Sequence, residues 1–185
     1  AAGGRPHFVD VDPQTGNMDP EMLRRVAAPD DAAILVTHLH GIAAAIEDIR
    51  AIANEKGLPL IEDTAQAMGA YTEDKAYLGC HGDAGVFSLG IYKNINALFG
   101  GVLVTQDHGL ARFARTTQGD WPFFQQQHLR RKLKEMAMVD ILGSPPWFGS
   151  MLFPYFRYGF LNDVEKINRK TRIELDTSRR PNLPD

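Results

Sequence analysis

Cysteine is almost absent: Cys80 is the single thiol of the 185-residue chain. One thiol excludes an internal disulfide and a cysteine-built zinc site, and it fits a reducing compartment. As a small, weakly polar residue it is expected to be half-buried. An excess of charge of either sign is also lacking, since 20 Lys plus Arg against 23 Asp plus Glu leave a net of -3. The bulk electrostatics therefore ask for neither nucleic acid nor an acidic membrane, and a charged substrate must be met locally. The aromatic-crowded segment Ile141 to Leu161 is broken by Pro145, Pro146 and Pro154, which argues against an intact spanning helix of about 20 apolar residues. No Gly-x-Gly-x-x-Gly follows any strand-like run, which weakens a nicotinamide enzyme. Ser88 lies in Phe-Ser-Leu and not in a Gly-x-Ser-x-Gly elbow, so a serine hydrolase is poorly supported. Repeats and low-complexity tracts are missing too. The start at Ala1 lacks a methionine and a targeting segment, and Arg179 to Asp185 has no apolar periodicity. Both ends are expected to be cut.

What is present suits an α/β domain, with 44% hydrophobic residues to fill a core. His7 to Val11 reads as a short strand closed by turn chemistry at Asp12 to Gly16. Asp19 followed by Pro20 and Glu21 reads as the cap and first turn of a helix. Ala32 to Thr37 is a continuous apolar run, expected to be a parallel strand covered on both faces. Ile42, Ile46, Ile49 and Ile52 keep helical spacing up to Lys56, with Gly57 as C-cap. Leu60 to Gln66, Gly85 to Leu89 and Gly101 to Thr105 read as further strands, and a helix begins near Leu110. This alternation predicts a mostly parallel sheet with flanking helices. Ligands collect beyond the carboxyl ends of such strands.

Residues 1–120 are expected to form that core, and 121–185 a helical, aromatic-rich extension. Within the extension, Gln125 to Met138 has a helical apolar face, and Val164 to Leu175 reads as an exposed helix. The aromatic crowding from Trp147 to Phe160 admits three uses: packing against the parent protein or a second subunit, a lid or substrate wall, or interfacial membrane contact.

Two strand ends carry chemistry. Asp63 closes an apolar strand beside small residues, where it could bind a metal, act as a base or pair with a cation. Its neighbour Glu62 points to the opposite face of an extended strand, so convergent metal ligands are lacking. A single cation is the more economical partner. A protonated pyridine nitrogen is one such cation, and a carboxylate against it keeps the heterocycle an electron sink. Lys93, beside Phe87, Leu89, Ile91 and Tyr92, is expected to be partly desolvated, which favours a nucleophilic amine able to form a Schiff base. Ser88 can donate to a phosphate, and Gln66 could reach a ring hydroxyl. His38 and His40 alternate on one strand end; with no third ligand in view, pocket lining by one of them is preferred to a metal pair, and no metal site is assigned.

The run Ile61 to Ala67, then Gly82 to Ser88, then Lys93-Asn94 and Gly100 to Thr105, resembles the DegT/StrS-type sugar aminotransferases, a family of fold-type I pyridoxal phosphate enzymes. Phe8 to Asp12 and His38 to Gly41 look like the same family in the expected places, and the likeness runs from about Gly3 to Asp107. It implies the large domain of such an enzyme, truncated at both ends, with pyridoxal 5'-phosphate as cofactor. By the same resemblance Lys93 holds the cofactor and shuttles the proton, Asp63 pairs with the pyridine nitrogen, Gln66 contacts the ring hydroxyl and Ser88 binds the phosphate. The implied activity is transfer of an amino group from an amino acid, usually glutamate, to a keto-sugar carried on a nucleotide, in a cytoplasmic homodimer. A relative with histidine in place of the lysine dehydrates instead, so Lys93 favours transamination. Where the family commonly has Gly-Glu-Gly-Gly, this chain has Ala97-Leu98-Phe99-Gly100-Gly101, a change that bears on substrate choice. The alternative is a non-catalytic relative serving subunit or membrane-surface association.

Overall fold

The computed structural model of the chain describes residues 4–90, 92–119 and 126–159. They belong to two compact units, Gly4–Trp121 and the chain from Pro122 onward. The proposed helix at Val164 to Leu175 lies outside the described residues.

The first unit is built on a four-stranded sheet in the order β1-β2-β3-β4. Its strands are β1 (Ile34–Thr37), β2 (Leu60–Asp63), β3 (Ala84–Ser88) and β4 (Gly101–Thr105). β1, β2 and β3 run parallel, and β4 pairs antiparallel with β3. The sheet is thus mostly parallel, with helices α1 (Pro20–Val26), α2 (Ile46–Lys56) and α3 (His108–Gly119) around it.

Local chemistry explains the helix ends. Asp19 Oδ1 accepts from the main-chain N–H groups of Glu21 and Met22 at 2.8 and 3.4 Å, with Pro20 at the first helical position. Gly57 closes α2 in the left-handed region at φ 69°, where its N–H reaches the carbonyls of Ala53 and Asn54. Asp107 Oδ1 receives the N–H groups of Gly109 and Leu110 at the start of α3. The core lies between the sheet and α1 and α2, where Ile46, Ile49, Ile52, Val36 and Leu60 are fully enclosed. Each such side chain contributes about 1.5–3 kcal/mol relative to an exposed position.

Three expectations are corrected. His7 to Val11 forms no strand; Val11 only bridges Met18 across the turn at Asp12 to Gly16, so the segment lacks a neighbour to complete a ladder. α2 begins at Ile46, because His40 and Gly41 turn through the left-handed region and delay the helix. Among the described residues β1 is covered on one face only: Ile34 and Val36 are buried, while Leu35 is 57% exposed. Leu35, Val86 and Leu103 lie on the sheet face away from the core, and no described residue of this unit covers them.

The second unit begins, in its described part, with α4 (Gln126–Gly143), longer than the helix expected from Gln125 to Met138. A short helix, α5 (Pro145–Trp147), a π turn (Phe148–Leu152) and α6 (Phe153–Gly159) follow. Pro145 and Pro146 fall in the first turn of α5, where a missing N–H costs little. The π turn ends two residues before Pro154, whose ring and absent N–H disfavour a regular α-helical turn there.

Candidate active site

The carboxyl end of β2 separates its side chains by strand alternation. Leu60, Glu62 and Thr64 face the core and are buried; Asp63 faces the other side and is half-buried. The main chain around Asp63 is held from both neighbouring strands. His38 N–H donates to the Asp63 carbonyl at 3.0 Å, and Thr64 donates to the Val86 carbonyl from both its N–H and its hydroxyl, at 2.9 and 2.7 Å. Asp63 Oδ1 accepts from the Ala65 N–H at 2.9 Å. Oδ2 receives no hydrogen bond from the described residues, so one lone-pair edge remains for a ligand. Asp63 pairs in register with Val86, which places Ser88, two residues further along β3, on the same sheet face.

Beyond Ser88 the chain forms a loop closed on itself. Leu89 N–H reaches the Gly100 carbonyl at 3.0 Å, Ala97 N–H reaches the Leu89 carbonyl at 2.9 Å, and Lys93 N–H caps a turn at the Gly90 carbonyl at 3.0 Å. Ser88 Oγ and Lys93 Cγ flank Gly90: a Cβ there would lie 3.8 and 4.0 Å from them. Asn94 Nδ2 donates across to the Met68 carbonyl at 3.3 Å and ties this loop to the one after β2. Between the two loops is a cleft of about 160 Å³ lined by Ala65, Gln66, Met68, Tyr92, Lys93 and Asn94. Gln66 and Lys93 therefore share one cleft, while Asp63 and Ser88 stand at the adjoining strand ends and do not line it. Gln66 Oε1 accepts from the His40 N–H at 3.3 Å.

Behind this surface lies a buried ion network that the sequence reading overlooked. The Glu62 carboxylate is fully enclosed and accepts the N–H groups of Gly79, His81 and Gly82 at 2.8, 2.7 and 2.5 Å. His38, also fully enclosed, approaches it with Nε2 at 3.2 Å. His38 Nδ1 accepts from the Ala44 N–H at 3.1 Å, so the ring proton sits on Nε2 and donates to Glu62. Burial by itself raises the Glu62 pKa, but the His38 hydrogen bond and the three main-chain donors outweigh it and hold the carboxyl below its ordinary range. The pair joins the segments after β1 and before β3 to the middle of β2.

Two further expectations change here. Neither His38 nor His40 lines the cleft, where one of them was expected: His38 is engaged at both ring nitrogens, and His40 sits in a left-handed turn. Cys80 is exposed, because the loop that carries it turns its neighbours' N–H groups inward to Glu62. Leu98, in the segment that departs from the family pattern, has φ 71°, a strained choice for a side-chain-bearing residue. Among the described residues no three His, Cys, Asp or Glu side chains converge as metal ligands.

The family model described as the DegT/DnrJ/EryC1/StrS aminotransferase family matches residues 1–143. An L-glutamine:2-deoxy-scyllo-inosose aminotransferase of Micromonospora echinospora is 41% identical over 112 residues, which is 60% of this chain and 26% of that protein. The structure of DesI in the presence of its TDP-sugar product is 40% identical with a TM-score of 0.57, covering 61% of this chain and 29% of that one. An E coli GDP-4-keto-6-deoxy-D-mannose-3-dehydratase with bound hydrated PLP is 33% identical with a TM-score of 0.50, covering 54% of this chain and 25% of that one. The chain thus spans between a quarter and a third of the length of these proteins.

Proposed function

The chain belongs to the DegT/DnrJ/EryC1/StrS aminotransferase family, and from that membership we propose that its protein is a pyridoxal phosphate-dependent aminotransferase acting on a keto-sugar. The observation that carries the reading is the shared cleft of Gln66 and Lys93, with Asp63 and Ser88 at the adjoining strand ends.

These residues fit the cofactor by their chemistry. Asp63 keeps one carboxylate oxygen for a pyridinium N–H, Lys93 offers an amine for an aldehyde, Ser88 a hydroxyl for a phosphate, and Gln66 an amide for the ring hydroxyl. When bound, the cofactor supplies an electron sink that makes a proton on the donor's α-carbon acidic. Asp63 holds the positive charge on the ring nitrogen, and its fixed main chain keeps it there without reorganisation. Lys93 would hold the cofactor through Nζ, and the same amine would serve as the base and acid that carries a proton within the site. Thr64, bonded twice to β3, fixes the spacing between the strand ends.

The finer reading takes glutamate as donor and a nucleotide-linked keto-sugar as acceptor, in a cytoplasmic homodimer. The sugar-bound DesI structure supports the acceptor, and the Micromonospora relative widens the donor to glutamine. An amine at position 93, in place of a histidine, favours transamination over dehydration. The test is the visible absorbance of the bound cofactor in the full-length protein: Lys93→Ala abolishes it, and Lys134→Ala on the exposed side of α4 leaves it. A full-length protein that takes up no pyridoxal phosphate refutes the reading.

A further inference from the structure

The second unit presents an apolar surface with no described residue over it. Met138 and Ile141 at the end of α4, then Trp147, Phe148, Met151 and Phe153, are each between 43% and 58% exposed. Cationic charge adjoins them. Residues 126–159 hold five basic side chains, Arg130, Arg131, Lys132, Lys134 and Arg157, against Glu135 and Asp140. The chain as a whole has the opposite net sign, -3. Lys132 is paired with Glu135 at 2.9 Å. Arg130, Arg131 and Lys134 remain on one flank of α4, where they border a hollow of about 590 Å³ that Gln127, Met138 and the Lys132-paired Glu135 also line. From Ile141 to Gly159 no acidic residue occurs at all.

The order along the chain is therefore a cationic helix end, then an aromatic and aliphatic band. That order matches a bilayer surface: phosphates at headgroup depth meet Arg and Lys, and Trp and Phe settle at the acyl boundary. Among the described residues no helix is long and apolar enough to cross a membrane. The breaks at Pro145, the π turn and Pro154 suit a segment that lies along a surface. The family model matches residues 1–143, and Trp147, Phe148, Met151 and Phe153 follow that match.

We propose that residues 126–159 form a docking surface for an anionic lipid bilayer. The proposal stands apart from the catalytic reading and needs no cofactor.

Co-sedimentation of the full-length protein with vesicles tests it. Binding is expected to phosphatidylcholine vesicles that contain about one third phosphatidylglycerol, and to be much weaker with phosphatidylcholine alone. The exposed triple change Arg130→Gln, Arg131→Gln, Lys134→Gln lowers the partition constant about 100-fold, at about fivefold per cation. Trp147→Ser with Phe153→Ser weakens binding to the anionic vesicles while leaving all charges in place, and unchanged far-UV circular dichroism shows that each variant is folded. Equal binding to both vesicle types, or anionic binding that survives the triple change, overturns the proposal. So does a protein that ignores vesicles but forms a concentration-dependent dimer in the ultracentrifuge that Trp147→Ser dissociates, since the surface then belongs to a second copy.

Discussion

Replacing Glu62 by Gln tests the buried network with almost no change of volume. The carboxylate receives four donors: three main-chain N–H groups and the His38 Nε2–H. A glutamine keeps an oxygen for one edge, toward His81 and Gly82. Its NH₂ then faces the Gly79 N–H and the His38 Nε2–H, donor against donor. His38 has no easy escape, because its Nδ1 is committed to the Ala44 N–H. Hydrogen bonds to a charged group contribute about 1.5–3 kcal/mol each, and leaving a buried donor without an acceptor costs about 1–3 kcal/mol. The costs overlap, so the expected loss at neutral pH is about 3 kcal/mol, a large fraction of a typical domain's stability of about 5–15 kcal/mol. Urea denaturation measures it, and native-state amide exchange at Gly79, His81 and Gly82 localises it, with protection lowered about 100-fold at those amides. The pH dependence has a definite sign. The Glu62 pKa is lowered in the folded state, so its contribution is complete above the unfolded carboxyl value of about 4.3 and is lost as pH falls through the folded value. The stability gap between parent and Glu62→Gln must therefore close on acidification. A loss under about 1 kcal/mol at pH 7, or a gap that stays constant into acid, refutes this account.

Other outcomes follow from single contacts. Gly85→Ala places a Cβ 2.1 Å from the Gly79 carbonyl oxygen, a backbone atom that moves only with its loop; the expected cost is at least about 1–3 kcal/mol in urea denaturation, with lower exchange protection at Gly79. Asp63→Asn keeps the shape of the β2 end but removes the charge proposed to hold the pyridinium; the full-length enzyme should retain cofactor and lose about 100-fold or more in kcat, comparable to losing one preorganised electrostatic group. Asp19→Ala removes the cap of α1 and should lower stability by about 1 kcal/mol, read as a shifted urea midpoint with an unchanged slope.

The parts of the fold legible in the sequence are those fixed within a few residues. The Asp19-Pro20 start of α1 and the Gly57 end of α2 follow from capping chemistry alone. The strands from Leu60, Gly85 and Gly101 follow from short apolar runs bounded by polar or glycine positions, to within a residue or three. What was not legible depends on distant partners. His7 to Val11 has strand composition, yet a strand exists only where a neighbour completes its ladder. The buried, both-sided look of Ala32 to Thr37 misplaced Leu35, because an apolar residue does not announce which element covers it. Glu62 was placed on the correct side of the strand, but its partners are main-chain N–H groups 17 to 20 residues onward, and a backbone donor leaves no signature in side-chain pattern.

That same strand explains why two adjacent carboxylates can have opposed tasks. At one side of β2, Glu62 is saturated by four donors in a closed space, so it gains rigidity and has no lone pair to offer a ligand. At the other side, one rung further, Asp63 accepts one described hydrogen bond and keeps its second oxygen. The longer glutamate can reach the loop that crosses Gly85; the shorter aspartate stays at the strand end, on the sheet face it shares with Ser88. Exchanging the two would leave the N–H groups of Gly79, His81 and Gly82 beyond reach of a carboxylate and push the strand-end carboxylate past the ring nitrogen it is proposed to meet. The Glu-Asp order is thus a division between holding the end of β2 in place and using it, made by the two-residue period of a strand.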